Sequence, residues 1–348
     1  MIKYNIIRSY KKLSLNKIIS SNFSKRRKKW ENKRTILKFL FIIILSNILF
    51  FFNNNLFNFI SGSIAFISKP SKKIKACVCV IGKRENLYAK EYVNYYKSIG
   101  YNHIFIYDNN EENDEKFEDV LQEEIKSKFV TIIDLRGNKA RFLDGGPQCY
   151  AFKDCYKNNN KDYDWLSFFD FDEFLEVRPK SKNIQEYFGN KMFDKCINIK
   201  INFLFYSDNE LLYYDPRPLQ ERFTTPLYDH GNNGVIKSTI KGGLGFNYWE
   251  KGCTPHTSVL TNVTSCTSFG EVIPFNAWYY KANFTYAALK HYYSKTVEEY
   301  ANKSARGDAL NIIKWDENQK RNKIENYFIY NKRTEEKVNL FKKIFNIT

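Results

Sequence analysis

Asp170 and Asp172 stand one residue apart at the end of an apolar run, Trp165-Leu166-Ser167-Phe168-Phe169-Asp170-Phe171-Asp172-Glu173-Phe174-Leu175. On a β-strand successive side chains alternate faces, so these two carboxylates point the same way while Phe169, Phe171 and Phe174 pack around them. Burying one unpaired carboxylate costs on the order of several kcal/mol, and two that face each other cost more, so a cation belongs between them. Oxygen ligands of this kind suit Mg²⁺ or Mn²⁺, which keep part of their water shell and bind phosphate oxygens alongside protein carboxylates. The competing reading is an acidic turn after a core strand, its carboxylates solvated or paired with lysine.

The segments before this run alternate in period. Lys75 to Ile81 reads as a strand, and Leu87 to Ile99 as a helix, with Tyr88, Tyr92, Tyr95, Tyr96 and Ile99 at helical spacing. His103 to Tyr107 is a second strand ending at Asp108-Asn109-Asn110, Phe117 to Ile125 a helix, Val130 to Leu135 a third strand, and Gln148 to Tyr156 a helix. Strand and helix in this order predict a parallel sheet with right-handed crossovers, an α/β nucleotide-binding architecture. Ligands in such sheets sit beyond the carboxyl ends of the strands, where Arg84-Glu85, Asp108-Asn109 and Asp170-x-Asp172 all fall. The second half is less regular. Ile197 to Phe205 and Val235 to Ile240 read as strands, Pro216 to Pro226 as a loop, and Thr296 to Ala305 as an amphipathic helix. Lys314 to Thr348 reads as a charged helix or two without recognisable chemistry.

A chain of 348 residues, 43% hydrophobic and 17% aromatic, can bury a large core without disulfides or metal. Its net charge of +17 suggests nucleic acid only until the charge is located. Thirteen basic residues between Lys3 and Lys38, opposed by Glu31 alone, supply about +12 of it, so the charge describes a tail and nucleic-acid binding is not expected. The apolar run from Phe39 to about Ile60 reaches the ~20 residues that a membrane-crossing helix needs. Its basic flank predicts a cytosolic N-terminus, with everything after about residue 68 across the membrane. A cleaved signal peptide and a buried core helix are the other readings of the run. Cys77 and Cys79 read as buried thiols on one strand, whereas Cys149 with Cys155, or Cys253 with Cys266, could pair across short loops. Asn262-Val263-Thr264, Asn283-Phe284-Thr285 and Asn302-Lys303-Ser304 are glycosylation acceptor triplets.

The order of motifs resembles glycosyltransferase family 92 and its close relatives. The resemblance is carried by Lys83-Arg84-Glu85-Asn86-Leu87-Tyr88, Glu91, Gly100 and Ile106-Tyr107-Asp108-Asn109-Asn110. It continues through Gln148 with Tyr150 and Cys155, Trp165 through Leu175, Glu221-Arg222-Phe223, Lys237-Ser238 and His256. It closes on His291-Tyr292-Tyr293-Ser294-Lys295 with Arg306-Gly307, covering about residues 75 to 310. Arg84 departs from the family, which more often has Asn there. The resemblance implies a GT-A fold, a nucleotide-sugar donor, UDP-linked first, and Mn²⁺ or Mg²⁺ on the Asp-x-Asp. It also implies a glycan or glycoconjugate acceptor, galactose as a donor sugar, inversion at the anomeric carbon and a type II membrane anchor. The expected fold is thus an α/β, GT-A-like nucleotide-binding sheet with flanking helices, preceded by one transmembrane helix.

Transfer of a sugar leaves negative charge on the diphosphate, so a cation is needed there. Asp170 and Asp172 are expected to hold it. A histidine from the second half completes the coordination, His291 ahead of His256 because aromatic residues flank it and Lys295 lies one turn on. Lys237, Lys295 and Arg306 are candidates for phosphate contacts, and Asp108 for the base or ribose, with Lys83, Glu85 and Asn109 beside it. Inversion needs a carboxylate base on the acceptor hydroxyl; Glu221 is the first candidate and Asp229 the second. The expected division is a cytosolic tail (1–38), an anchor (39–60), a linker (61–74), a catalytic domain (75–310) and a helical extension (311–348). The catalytic domain is expected in the lumen of the Golgi or endoplasmic reticulum. A membrane-anchored glycan- or partner-binding protein that kept the fold without catalysis is the alternative.

Overall fold

A computed structural model of the chain describes residues 73–137, 145–178, 181, 183–245, 254–305 and 316–347. All belong to one compact unit, Lys72–Thr348. The expected basic tail, membrane anchor and most of the linker lie outside the described residues, as does Arg306. Among the described residues no helix is long and apolar enough to cross a membrane.

The strands are β1 (Ala76–Gly82), β2 (His103–Asp108), β3 (Val130–Asp134), β4 (Trp165–Phe168), β5 (Glu173–Val177), β6 (Asn198–Phe205), β7 (Ile236–Lys241), β8 (Ser265–Thr267), β9 (Val272–Ile273) and β10 (Ala287–His291). They form one mixed sheet in the order β3-β2-β1-β4-β7-β6-β10-β5, with β8 and β9 branching from β6. The all-parallel sheet expected from the alternation holds for β3-β2-β1-β4. Beyond β4 it fails: β7 runs antiparallel to β4 and to β6, and β5 antiparallel to β10. Parallel neighbours need a long crossover, and between β6 and β7 the described helices are a single turn, Leu219–Arg222, and a 3₁₀ turn, Gly231–Gly234.

β1 is buried along its whole length, as a central parallel strand should be. From it the chain runs outward through β2 to β3 and then returns to β4 on the other side. The carboxyl ends of β1 and β4 therefore flank a topological switch point, where such sheets open a crevice.

Helix α1 (Asn86–Ser98) presents Tyr88, Tyr92 and Tyr96 to the sheet at the spacing the sequence indicates. On the other face, α2 (Gly146–Asn159) is tied to β1 by a disulfide between Cys79 and Cys155. A second disulfide joins Cys196 to Cys266. The pairings Cys149–Cys155 and Cys253–Cys266 are thereby corrected, as is the reading of Cys79 as a thiol; Cys77 is the buried free cysteine. Short sequence separation misleads here because a disulfide needs adjacent Cβ atoms, which the sheet supplies across 76 and 70 residues. Farther on, α3 (Val297–Ala305), α4 (Glu317–Tyr327) and α5 (Glu335–Phe345) share a small core of Val297, Tyr300, Ile324, Tyr327 and Phe341.

Candidate active site

β4 stops at Phe168 and β5 starts at Glu173, so Asp170-Phe171-Asp172 occupies a turn and not a strand. The expected strand alternation does not apply there. Two contacts close the turn: Glu173 N–H donates to the Asp170 carbonyl, and Asp170 N–H donates to Oε2 of Glu173, each 3.0 Å. Helix α1 holds it from below. Tyr96 Oη donates to the Glu173 carbonyl at 2.8 Å and accepts from Leu175 N–H at 3.2 Å. Phe171 stacks on Phe117, centroids 5.2 Å apart, and lies 4.8 Å from the Tyr92 ring. Its ring crosses Gly82 at the end of β1, where a Cβ would come within 2.5 Å of it. Any larger residue at 82 would push the turn out of place.

The turn delivers a different carboxylate set from the one expected. Asp172, Glu173 and His291, all buried, each place a ligand atom within 4.8 Å of the others. His291 Nε2 lies 3.7 Å from Asp172 Oδ1 and 4.0 Å from Glu173 Oε1. His291 reaches this point from the end of β10, which pairs with β5 so that His291 is opposite Glu173. Asp170 instead points to Lys237, whose ammonium is 2.7 Å away and also lies 3.2 Å from Glu173 Oε1. Gln148 Nε2 donates to Asp170 from the other side, at 3.4 Å.

Burial opposes ionisation of both aspartates, but Lys237 holds Asp170 below the usual carboxylate range. Lys303, assisted by His291 and Lys295, holds Asp172 far below it. Glu173 moves the other way, raised by burial and by Asp170 and Asp172 beside it, more than Lys237 offsets. Burial pushes His291 down to about 3, leaving a neutral imidazole, the form that binds metals. Glu173 Oε1 makes no hydrogen bond of good geometry, its nearest cation being Lys237 at 3.2 Å, and His291 turns Nε2 to the carboxylates. Two carboxylates and a neutral imidazole whose ligand atoms converge within 4.8 Å fit a divalent ion.

The group opens onto a cavity of about 520 Å³. Of the expected residues, Lys83, Glu85, Asn109, Asp170, Asp172, His256 and His291 line it. His256 sits elsewhere on the wall, its Nδ1 2.9 Å from the Ile236 carbonyl, so His291 is the histidine of the ligand group. Asp108 is buried behind the wall, accepting from Arg136 Nε at 2.7 Å and from Asn110 N–H at 3.0 Å. Lys237 acts on the carboxylates from below. Lys295 faces an adjoining cavity, its ammonium 3.6 Å from the Tyr88 ring centre and 3.8 Å from Glu85.

Glu221 and Asp229 are exposed and are absent from the cavity lining. Glu221 does not pair with the neighbouring Arg222 either. Arg222 turns inward and makes a buried two-bond pair with Glu299, 2.8 and 2.9 Å, because the one-turn helix Leu219–Arg222 sends the two side chains to different faces. Sequence reasoning missed Glu173, Lys303 and Tyr330 in the site. Glu173 adjoins the Asp-x-Asp, and a strand reading of that motif gives it no part in the pair; no local signal marks the other two.

Against known proteins, the model of Glycosyltransferase family 92 matches residues 72–228. Residues 72–228 are thus similar to a family 92 glycosyltransferase domain. A glycosyltransferase family 92 protein of Ricinus communis is 29% identical over 125 residues, 35% of this chain and 21% of that protein. One from Oryza sativa subsp. japonica is 29% identical over 116 residues, 33% of this chain and 18% of its own length. The chain thus aligns with about a fifth of these curated relatives. Among solved structures, the mannosyltransferase PcManGT from Pyrobaculum calidifontis, in complex with GDP-Man and Mn²⁺, matches with a TM-score of 0.28 and 8% identity, over 44% of each chain. TarS of S. aureus matches with a TM-score of 0.33 and 11% identity, over 73% of this chain and 43% of its own. The matched family 92 segment contains the Asp170–Glu173 turn, whereas Lys237, His291 and Lys303 come from beyond it.

Proposed function

We propose that the chain is a GT-A-type glycosyltransferase that moves a sugar from a nucleotide-sugar donor to a glycan, with a divalent ion, Mn²⁺ or Mg²⁺, on Asp172, Glu173 and His291. The observation that carries this reading is the convergence of those three ligand atoms at the switch point between β1 and β4, in a chain whose residues 72–228 are similar to family 92. The ion, when bound, would neutralise the charge that develops on the leaving diphosphate. The chain's own residues do the rest. Lys237 keeps Asp170 ionised and fixes the turn, Tyr96 locks its backbone, and Lys83 and Asn109 line the wall at the ends of β1 and β2, towards the nucleoside. Galactose as the sugar, inversion and a UDP-linked donor belong to this proposal and rest on the family resemblance. The proton acceptor belongs among carboxylates that line the cavity, of which Glu85 lies outside the ligand group and the turn.

The same proposal includes a membrane-anchored protein with its catalytic domain in the Golgi or endoplasmic reticulum lumen. Two disulfides and the exposed acceptor asparagines Asn262 and Asn302 support an oxidising lumen, and the basic tail before Phe39 supports the orientation. The test of activity is a screen of UDP- and GDP-sugars for hydrolysis by the full chain, with Mn²⁺ and with chelator. Metal-dependent release of one nucleotide is the expected result; no release from any donor would favour the non-catalytic binding protein.

A further inference from the structure

Two large rings stand out from the surface beside the cavity. Trp278 is 60% and Tyr279 48% exposed, with ring centroids 6.0 Å apart. Their backbone is fixed to the cavity wall. Val235, which lines the cavity, pairs with Tyr279 in an antiparallel bridge, and Ile236 N–H donates to the Trp278 carbonyl. Tyr279 lies flat over Gly234, where a Cβ would come within 2.1 Å of its ring, and its hydroxyl donates to the Gly231 carbonyl at 2.9 Å. One residue earlier, His230 stacks on Tyr330 at 4.5 Å, and Tyr330 stacks on Phe205 at 4.7 Å. Phe205 and Tyr330 both line the cavity. An aromatic path, bridged between His230 and Tyr279 by the Gly231–Gly234 turn, therefore leads from the cavity to Trp278 at the surface.

We propose that this path is the acceptor subsite: the terminal sugar of an oligosaccharide sits against Phe205 and Tyr330, and its outer residues lie across Tyr279 and Trp278. This rests on the glycosyltransferase reading. A pyranose presents a face of C–H groups, which buries well on an aromatic ring, while its edge hydroxyls stay in water at an open rim. Rings already held by their own backbone lose little freedom on binding. A protein partner would need a contact on the order of 1,000 Å² or more, which two rings do not offer.

The probe is a printed array of defined mono- to hexasaccharides, applied with Mn²⁺ and UDP to the full-length protein and to its Trp278→Ala and Trp278→Phe variants, each first shown by thermal melting to be folded. The wild type is expected to bind an oligosaccharide more tightly than the corresponding terminal monosaccharide. Trp278→Ala should weaken that binding roughly three- to tenfold, the loss of one aromatic contact, and Trp278→Phe should restore most of it. No glycan bound by the wild type, or equal binding by Trp278→Ala, would overturn the subsite. Failure of the transferase reading shows separately, as absence of metal-dependent donor hydrolysis by the wild type.

Discussion

Two adjacent residues, Asp172 and Glu173, reach the same point because β4 ends before them and the chain turns; on an uninterrupted strand they would face opposite ways. Lys303 favours an ionised Asp172 while burial and the neighbouring aspartates raise Glu173, so a cation at the proposed site would favour ionising Glu173 as well. Asp172→Asn should lower metal-dependent turnover on the order of 10²-fold or more, and, by removing the buried partner of Lys303, should also lower the melting temperature, as steady-state kinetics on the folded variant and calorimetric melting would show. Glu221 separates two accounts cleanly. A general base contributes about 10²- to 10⁴-fold, whereas a solvated surface carboxylate contributes nothing of that size. Because Glu221 lies outside the cavity lining, Glu221→Gln should leave transfer within about twofold of wild type, the scale of an ordinary surface change. A loss approaching 10²-fold would return the base to Glu221. Asp172 and His291 were legible in the sequence because their types and flanking residues advertise metal binding. Glu173 was hidden because the chain turns after Phe168, where alternation along the apolar run no longer applies.

Between elements, the pair Arg222–Glu299 bolts the one-turn helix Leu219–Arg222 to α3, and Tyr88 of α1 donates to the same carboxylate at 2.7 Å. Burial alone would raise Glu299, but the hydrogen bonds and charge of Arg222 hold it below its ordinary value. A depressed carboxylate contributes stability above its unfolded pKa and loses it as pH falls through its folded value. Denaturant melts from pH 7 towards pH 3 should therefore show Glu299→Gln about 3 kcal/mol less stable than wild type at pH 7, with the gap closing at the acid end. A gap that stays constant across that range would deny the pair its charge. The elements of the first half were legible from period alone, with helix and strand bounds close to those observed. The second half was not, because antiparallel partners such as β6 with β7, or β5 with β10, are chosen by contacts remote in sequence. Disulfide partners were hidden for the same reason.

The whole molecule is more closely knit than its charge pattern suggests. The C-terminal segment, which reads as a charged helix or two without recognisable chemistry, contributes Lys323 of α4 and Tyr330 of the following loop to the cavity. It is pinned by a buried cluster in which Asp208 accepts from Lys337 and from Tyr327 Oη, both at 2.6 Å, while Asn331 accepts from Asp208 N–H. Lys337→Met would leave Asp208 buried without its cation, at a cost of about 3 kcal/mol or more, and should weaken acceptor binding by loosening Tyr330. Chemical denaturation and glycan-array binding in the presence of Mn²⁺ and UDP would show both effects; unchanged glycan affinity would mean that the extension only covers the domain. The tail's role escaped the sequence because stacking residues and a shielded ion cluster look, one at a time, like surface composition. The central claim is that Asp172, Glu173 and His291 hold the ion. Manganese binding, followed by electron paramagnetic resonance in the presence of UDP, tests it without reliance on turnover. One Mn²⁺ per chain is expected for the wild type, with affinity reduced at least about tenfold in both Glu173→Gln and His291→Ala. Wild-type Mn²⁺ affinity in those two variants would contradict the account.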